Sequence, residues 1–163
     1  MPNWCDNTLV IFGGTAKQRK QWVLENTSKE NEGVDFNGSV PMPDEEDGNT
    51  NYNWSINNWS TKWNAVTCQE LISIKRDVRY GFDTAWGPPT NWFTTMAAKY
   101  PHLKFDLYYN EPGMCFIGEI YSRKGVITYA QRSNDELTDD DKQAMGYTPC
   151  ECCNGWEEEC MCD

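Results

Sequence analysis

The densest concentration of reactive side chains is the segment Cys150-Glu151-Cys152-Cys153-Asn154-Gly155-Trp156-Glu157-Glu158-Glu159-Cys160-Met161-Cys162. Cys150 and Cys153 form a CxxC pair, the short knuckle from which two thiolates reach one tetrahedral zinc ion at ~2.3 Å. Cys160 and Cys162 would complete four sulfur ligands, with Cys152 as an alternative ligand and Asn154-Gly155 turning the chain between the pairs. Four thiolates around zinc leave a net negative centre inside a segment that is already acidic. A zinc knuckle, an acidic tail of reduced thiols and a redox-active tail are therefore all open readings of these residues. A zinc-dependent enzyme would additionally need an open coordination position.

Elsewhere the chemistry is sparse. The single histidine, His102, sits beside Pro101 at an expected helix end and reads as surface structure. Neither a P-loop nor a GxGxxG fingerprint is present. Asp44-Glu45-Glu46-Asp47 and Asp139-Asp140-Asp141 lack the alternating oxygen ligands and glycine of an EF-hand loop, so they read as solvated charge. Trp54, Trp59, Trp63, Trp86 and Trp92 fall within 39 residues, with Lys62 and Arg79 nearby. Such rings can stack on nucleobases, but a small two-layer domain needs large side chains inside, and Trp59, Trp63 and Trp86 are assigned to the framework. Tyr52 and Trp54 lie in a polar stretch and are the aromatics expected at the surface.

The chain has 163 residues, with 25 Asp and Glu against 14 Lys and Arg and a formal charge of −11. Charge is segregated: residues 1–132 carry 15 acids and 13 bases, whereas 133–163 carry 10 acids and one base. This divides the chain into a nearly neutral domain over 1–132 and an acidic, cysteine-rich extension over 133–163. The acidic balance works against ordinary phosphate-backbone binding, in which Lys and Arg displace condensed counterions. No apolar run approaches the ~20 residues of a membrane helix. The opening Met-Pro-Asn-Trp-Cys-Asp has no basic patch before an apolar stretch, so a cytoplasmic protein is expected.

The elements that must position these residues follow from periodicity. Thr8 to Phe12 is β-branched and aromatic and stops at Gly13-Gly14, as a buried strand does. Thr15 can cap a helix ending near Asn26 to Ser28. Val34 to Phe36 and Val40 to Pro43 predict a second strand, and 43–58 a long polar loop or insertion. Leu71 to Ile74 suits a short helix or strand, and Val78 to Trp86 alternates as a strand. Pro88-Pro89 opens a helix with Trp92, Phe93, Met96 and Ala97 on one face. Leu103 to Tyr109 and Met114 to Tyr121 form a hairpin about Glu111-Pro112-Gly113, which Gly125 to Tyr129 extends. The fold class is α+β: a ferredoxin-like two-layer sandwich, mainly antiparallel, with two helices on one face.

Four segments carry a resemblance to a known family: Met1-Pro2-Asn3-Trp4-Cys5 with Asn7; Asn58 to Ala65; Phe82 to Trp86 with Pro88-Pro89; and Tyr100-Pro101 through Glu111-Pro112-Gly113, Phe116 and Gly118. In order and spacing over roughly 1–130 the chain resembles the YubB ferredoxin-like domain family, small proteins encoded mainly by bacteriophages, plasmids and prophages. Ser60 stands where that pattern has glycine. The resemblance implies the ferredoxin-like fold and a mobile-element origin, and it supplies no reaction and no catalytic residues. The expected function is a non-enzymatic protein that binds a host macromolecule, such as a component of a defence system. Its expected contacts are Tyr52, Trp54, Glu157, Glu158 and Glu159. The alternatives are a nucleotide or single-stranded nucleic-acid binding module and the zinc-dependent enzyme. Elemental analysis of the purified full chain separates the readings of the cysteine cluster: a knuckle gives one zinc per chain that a chelator removes, and a reduced tail gives none.

Overall fold

The computed structural model describes residues 3–44, 48–73, 76–149 and 156. Strand β1 spans Trp4–Phe12 and is followed by helix α1, Ala16–Asn26. The Gly13-Gly14 stop works as expected because both residues take positive φ, 72° and 53°. Thr15 then closes a capping box: its hydroxyl accepts from the Gln18 N–H at 3.2 Å, and the Gln18 side chain accepts from the Thr15 N–H at 2.8 Å.

The second strand expected over Val34 to Pro43 does not form. Only the two-residue pair β2 (Thr27–Ser28) and β3 (Gly33–Val34) is present, followed by a 3₁₀ turn at Phe36–Gly38. The Asp35 side chain caps that turn through the Asn37 N–H, and Asn64 accepts from the Phe36 N–H at 2.8 Å. These local bonds turn the chain so that Phe36 becomes a core plug in place of a ladder residue. The stretch read as a polar loop is also different, for Gly48–Trp59 is helix α2. Its buried side chains among the described ones are Ser55 and Trp59, four residues apart, with Trp54 and Ile56 half-buried, so the apolar stripe is too sparse to read as a helix.

The remaining order is β4 (Val66–Ser73), β5 (Asp77–Ala85), α3 (Thr90–Lys99), β6 (Lys104–Glu111), β7 (Phe116–Arg123), β8 (Val126–Ser133) and a short helix α4 (Asp139–Ala144). Six strands make one sheet in the order β4-β5-β1-β6-β7-β8, and every neighbouring pair is antiparallel. β1, β4, β5 and β6 with α1 and α3 reproduce the ferredoxin-like arrangement, which the β6-β7-β8 meander widens.

Strand period two divides the sheet into unlike faces. One face carries Leu9, Ile11, Tyr80, Phe82, Phe105, Leu107 and Ile120, all buried under α1, α2 and α3. Three helices therefore cover it, where two were expected. Trp22 of α1 packs on Tyr80 and Phe105, with its indole N–H on the Met96 sulfur at 3.2 Å. Phe36 sits 4.5 Å from Trp92 and 5.6 Å from Trp59, centroid to centroid, joining α2 and α3 to Phe82 below. Trp59, assigned to the framework, is buried there with its N–H on the Val40 carbonyl. Each such ring contributes about 1.5–3 kcal/mol by leaving water.

Ser60 adopts φ 65°, the left-handed region that favours glycine. What replaces glycine's freedom is a hydrogen-bond site. The Ser60 hydroxyl accepts from the Thr90 hydroxyl at 2.9 Å and from the Asn91 N–H at 3.1 Å, so it caps the first turn of α3, whose own N-cap, Pro89, has no side chain able to do so. Ser60→Ala should therefore destabilise the fold by ~1–2 kcal/mol, since it keeps the strained backbone and loses the cap. Ser60→Gly should cost clearly less because it relieves the backbone; urea denaturation of the two variants reads the difference.

Candidate functional site

The other face of the sheet carries no α1, α2 or α3, and its residues fall into registered cross-strand rows. From one end these are Asp83-Asp6-Asn110-Ile117-Arg132, then Gly81-Thr8-Tyr108-Glu119-Ala130, then Arg79-Val10-Asp106-Tyr121-Thr128. The last row holds Asp77, Phe12 and Lys104, with Arg123 opposite Val126 on the two outer strands. Tyr108 stands near the middle of this face and is 42 % exposed. It meets Tyr121 edge-on at 6.3 Å.

Two concavities meet at Tyr108. The larger, about 760 Å³, has Val10 and Phe12 as floor, Arg76, Asp77 and Arg79 on one side, Tyr108 and Asp106 on the other, and Gly13, Gly14 and Arg19 at its end. The smaller, about 190 Å³, continues past Tyr108 along Thr8, Asn110, Glu119 and Arg132.

Cations gather at the end that holds the larger groove. Arg79 pairs with Asp77 at 3.0 Å. Arg123 faces the Asp106 carboxylate at 2.5 Å, while its N–H groups go to the Phe105 and Ser122 carbonyls at 3.0 Å. The same guanidinium lies over Phe12 at 4.8 Å and Tyr121 at 5.4 Å, and the Lys104 ammonium lies over Phe12 at 5.8 Å. Arg19 holds the glycine turn by donating to the Gly13 and Gly14 carbonyls. The opposite end is acidic: partial desolvation, and then Asp83 directly across the ladder, raise the Asp6 carboxyl above its usual value. Tyr121 is held protonated chiefly by its hydrogen bond to Glu119.

The expected contact residues lie elsewhere. Tyr52 is 40 % exposed on α2, on the helix side, where it borders a shallow groove with Met42, Lys62 and Trp63. Trp54 is half-buried and packs edge-on against Trp59 at 5.3 Å. Trp86, expected in the framework, is 45 % exposed and takes φ 67°. Lys62 reaches over both Trp63 and Trp86, and Trp4 meets Trp63 at 5.8 Å, so these three tryptophans gather at one end of the sheet. Glu157, Glu158 and Glu159, and the expected ligands Cys150, Cys152, Cys153, Cys160 and Cys162, lie outside the described residues. Among the described residues no group of three or more His, Cys, Asp or Glu is placed to hold a metal ion. His102 is exposed, as expected.

The start of the extension packs on the body. Arg132 reaches Asp141 of α4 through two hydrogen bonds, 2.5 and 2.8 Å. The Tyr147 hydroxyl meets the Cys115 sulfur at 3.1 Å. Trp156 pairs with Pro149 as a β-bridge and stacks edge-on to Tyr147 at 6.3 Å. No described helix is long and apolar enough to cross a membrane.

A split βαβ sheet with α1, α2 and α3 on one side and an open aromatic face on the other defines a domain of ferredoxin-like architecture. The model of the family described as "Ferredoxin-like domain in Api92-like protein" matches residues 58–149, more than half of the chain. The chain belongs to that family. It is also similar in structure to the protein api92 from Yersinia pseudotuberculosis, with a TM-score of 0.61 at 8% identity over 84% of this chain and 100% of that one. That likeness is one of fold. No curated protein matches the chain in sequence.

The Arg132 pair gives this region a pH dependence. The guanidinium holds the Asp141 carboxyl well below its ordinary value of 3.8. A lowered native pKa means stability that is complete above the unfolded value and is lost as pH falls through the native one. The stability difference between wild type and Asp141→Asn should therefore be constant from about pH 7 to pH 5 and shrink below about pH 4, as read by urea denaturation.

Proposed function

We propose that the protein is a non-enzymatic binding protein of a phage or other mobile element, of the YubB ferredoxin-like kind. It acts in the cytoplasm of a bacterial host, and its working surface is the sheet face opposite α1, α2 and α3. The observation that carries this reading is a sheet face that α1, α2 and α3 leave uncovered and that α4 touches only at its Arg132 corner, bearing exposed Tyr108 between two concavities. An antiparallel sheet can leave a polar face in water; what favours binding here is an exposed ring set between two concavities.

The interior supports the same reading, because its buried ionisable side chains are occupied locally. Glu111 caps the Gly113 and Met114 N–H groups, Arg19 holds the Gly13-Gly14 turn, Asp106 faces Arg123, and Asp141 pairs with Arg132. Arg19 and Asp106 both border the larger groove but are engaged with the glycine turn and with Arg123, and Glu111 and Asp141 lie away from it. Burial pushes the Cys5 thiol up and the Cys68 thiol to about 11, so neither is a thiolate nucleophile at neutral pH.

Affinity capture from host lysate tests the reading. The full chain should retain one host component that Tyr108→Ala and Arg79→Glu release and that Tyr52→Ala keeps. Release by Tyr52→Ala with retention by Tyr108→Ala would move the contact to the helix side and defeat the assignment.

A further inference from the structure

We propose that the larger groove on the open face binds a phosphorylated nucleobase unit, with the base against Tyr108 and the phosphate beside Arg76, Arg79 and Lys104. This rests on the reading of that face as the working surface and names its ligand. Three observations converge on it.

The first is charge placement. The groove end gathers Arg19, Arg76, Arg79, Lys104 and Arg123 against two carboxylates, Asp77 and Asp106. This is a local positive excess in a chain of formal charge −11. Both carboxylates are engaged by arginines, and the Arg76 side chain is exposed. An anion is the partner such an end complements, and a recess between side chains seats a small anion better than it seats a broad protein surface.

The second is the aromatic surface beside it. Tyr108 is exposed and steadied edge-on by Tyr121, which leaves a ring face for a planar ligand. Base-on-ring stacking of this kind tolerates any sequence, because every base has a π face. Phe12 serves differently: its ring is already taken by Lys104 and Arg123, so it anchors cations at the phosphate end.

The third is polarity along the face. Beyond Tyr108 the smaller concavity offers Thr8 and Asn110, neutral groups able to hydrogen-bond a base edge, and then the acids Asp6 and Glu119, with Arg132 there already paired with Asp141. Phosphate is attracted at one end and repelled at the other, which fixes the direction of a bound nucleotide. The groove volume of about 760 Å³ lies within the ~300–1,000 Å³ typical of small-molecule sites.

The test uses the full chain and a fluorescent single-stranded eight-nucleotide oligomer, with AMP, ATP and inorganic phosphate as competitors. Anisotropy should show binding that weakens with salt. Tyr108→Ala should weaken it by about tenfold or more, Tyr108→Phe should retain it, and Leu24→Ala, on the exposed side of α1, should leave it unchanged. Arg76→Glu should weaken binding and flatten the salt dependence by about 0.7 in slope for each phosphate that the variant no longer neutralises. Competition by AMP or ATP as effective as by unlabelled oligomer identifies a free nucleotide as the ligand, and affinity that grows with oligomer length identifies a strand. Either result supports the site. It is overturned if neither oligomer nor nucleotide binds at millimolar concentration, if Tyr108→Ala binds as wild type does, or if inorganic phosphate competes as well as a nucleotide. Host capture that still fails in Tyr108→Ala while no nucleotide binds would overturn this ligand and leave the open face as the working surface.

Discussion

Burial on one side only is the constraint from which the rest of the molecule follows. Three helices supply Trp22, Trp59, Trp92, Phe93 and Met96 to a single face of the sheet, and Phe36 is pushed in between them from a turn. With all of that apolar surface on one side, strand alternation obliges every second residue of β1, β5, β6 and β7 to face away from the core. The outward set is accordingly mixed: arginines, carboxylates, tyrosines and few aliphatic side chains. It is stabilised by ion pairs within β5 (Arg79 with Asp77) and across β6 and β7 (Arg123 with Asp106) and by cation–π contacts, each worth little individually. A surface held by weak, replaceable contacts is suited to exchanging them for a ligand's.

The residues that carry the family resemblance serve structural ends near one end of the sheet. Asn7 is fully buried and its amide donates to the Cys5 carbonyl and the Thr84 hydroxyl, both at 2.8 Å, tying β1 to β5. The Asn3 carbonyl accepts from the Trp86 N–H at 2.9 Å, and Thr84 donates on to the Gly87 carbonyl. Glu111 caps the turn that Pro112-Gly113 begins. Gly118 is required because a side-chain carbon there would lie 2.4 Å from the Tyr109 hydroxyl, which is engaged with Gln131. Together these residues knit one end of the sheet. A motif made of them specifies a fold closely and says nothing of a reaction, which is why the resemblance names an architecture without an activity.

Most of the sheet is legible in the sequence because its strands alternate, and α1 and α3 because Thr15 and Pro88-Pro89 mark their starts. Helix α2 is hidden for a physical reason: with asparagine so frequent over 48–59, local propensity favours turns, and the helix is fixed by burial of Trp59 and by tertiary bonds such as Ser55 to the Lys62 carbonyl at 2.8 Å. The segment after Gly33 mimics a strand because its hydrophobic residues serve as isolated plugs and not as a period. Exposure misleads at the tryptophans, since Trp86 turns outward at positive φ whereas Trp54 tucks beside Trp59. The open face itself is readable in principle. Lys104-Phe105-Asp106-Leu107-Tyr108 separates into an aliphatic and aromatic set and a charged and aromatic set, and once helices are assigned to one side the second set is the exposed one.

Net charge argues against an anion site on this chain, yet charge acts through distance. At physiological ionic strength interactions between exposed charges fade beyond about 8 Å, so what a bound phosphate feels is its neighbourhood and not the sum over the sequence. The register separates the neighbourhoods. Arg132, which holds α4 and its aspartates, pairs with Ile117 at one end of β7, while Arg123 and the groove occupy the other end, six residues along the strand. At ~3.4 Å per residue this spacing is about 20 Å, more than two screening lengths. The described acids of α4 thus leave the cationic end of the face intact, and long-range repulsion falls on approach and rate more than on the affinity of a seated ligand. An acidic protein with one well-separated cationic groove can therefore seat a phosphorylated nucleobase unit, free or as part of a short strand, although its net charge is strongly negative.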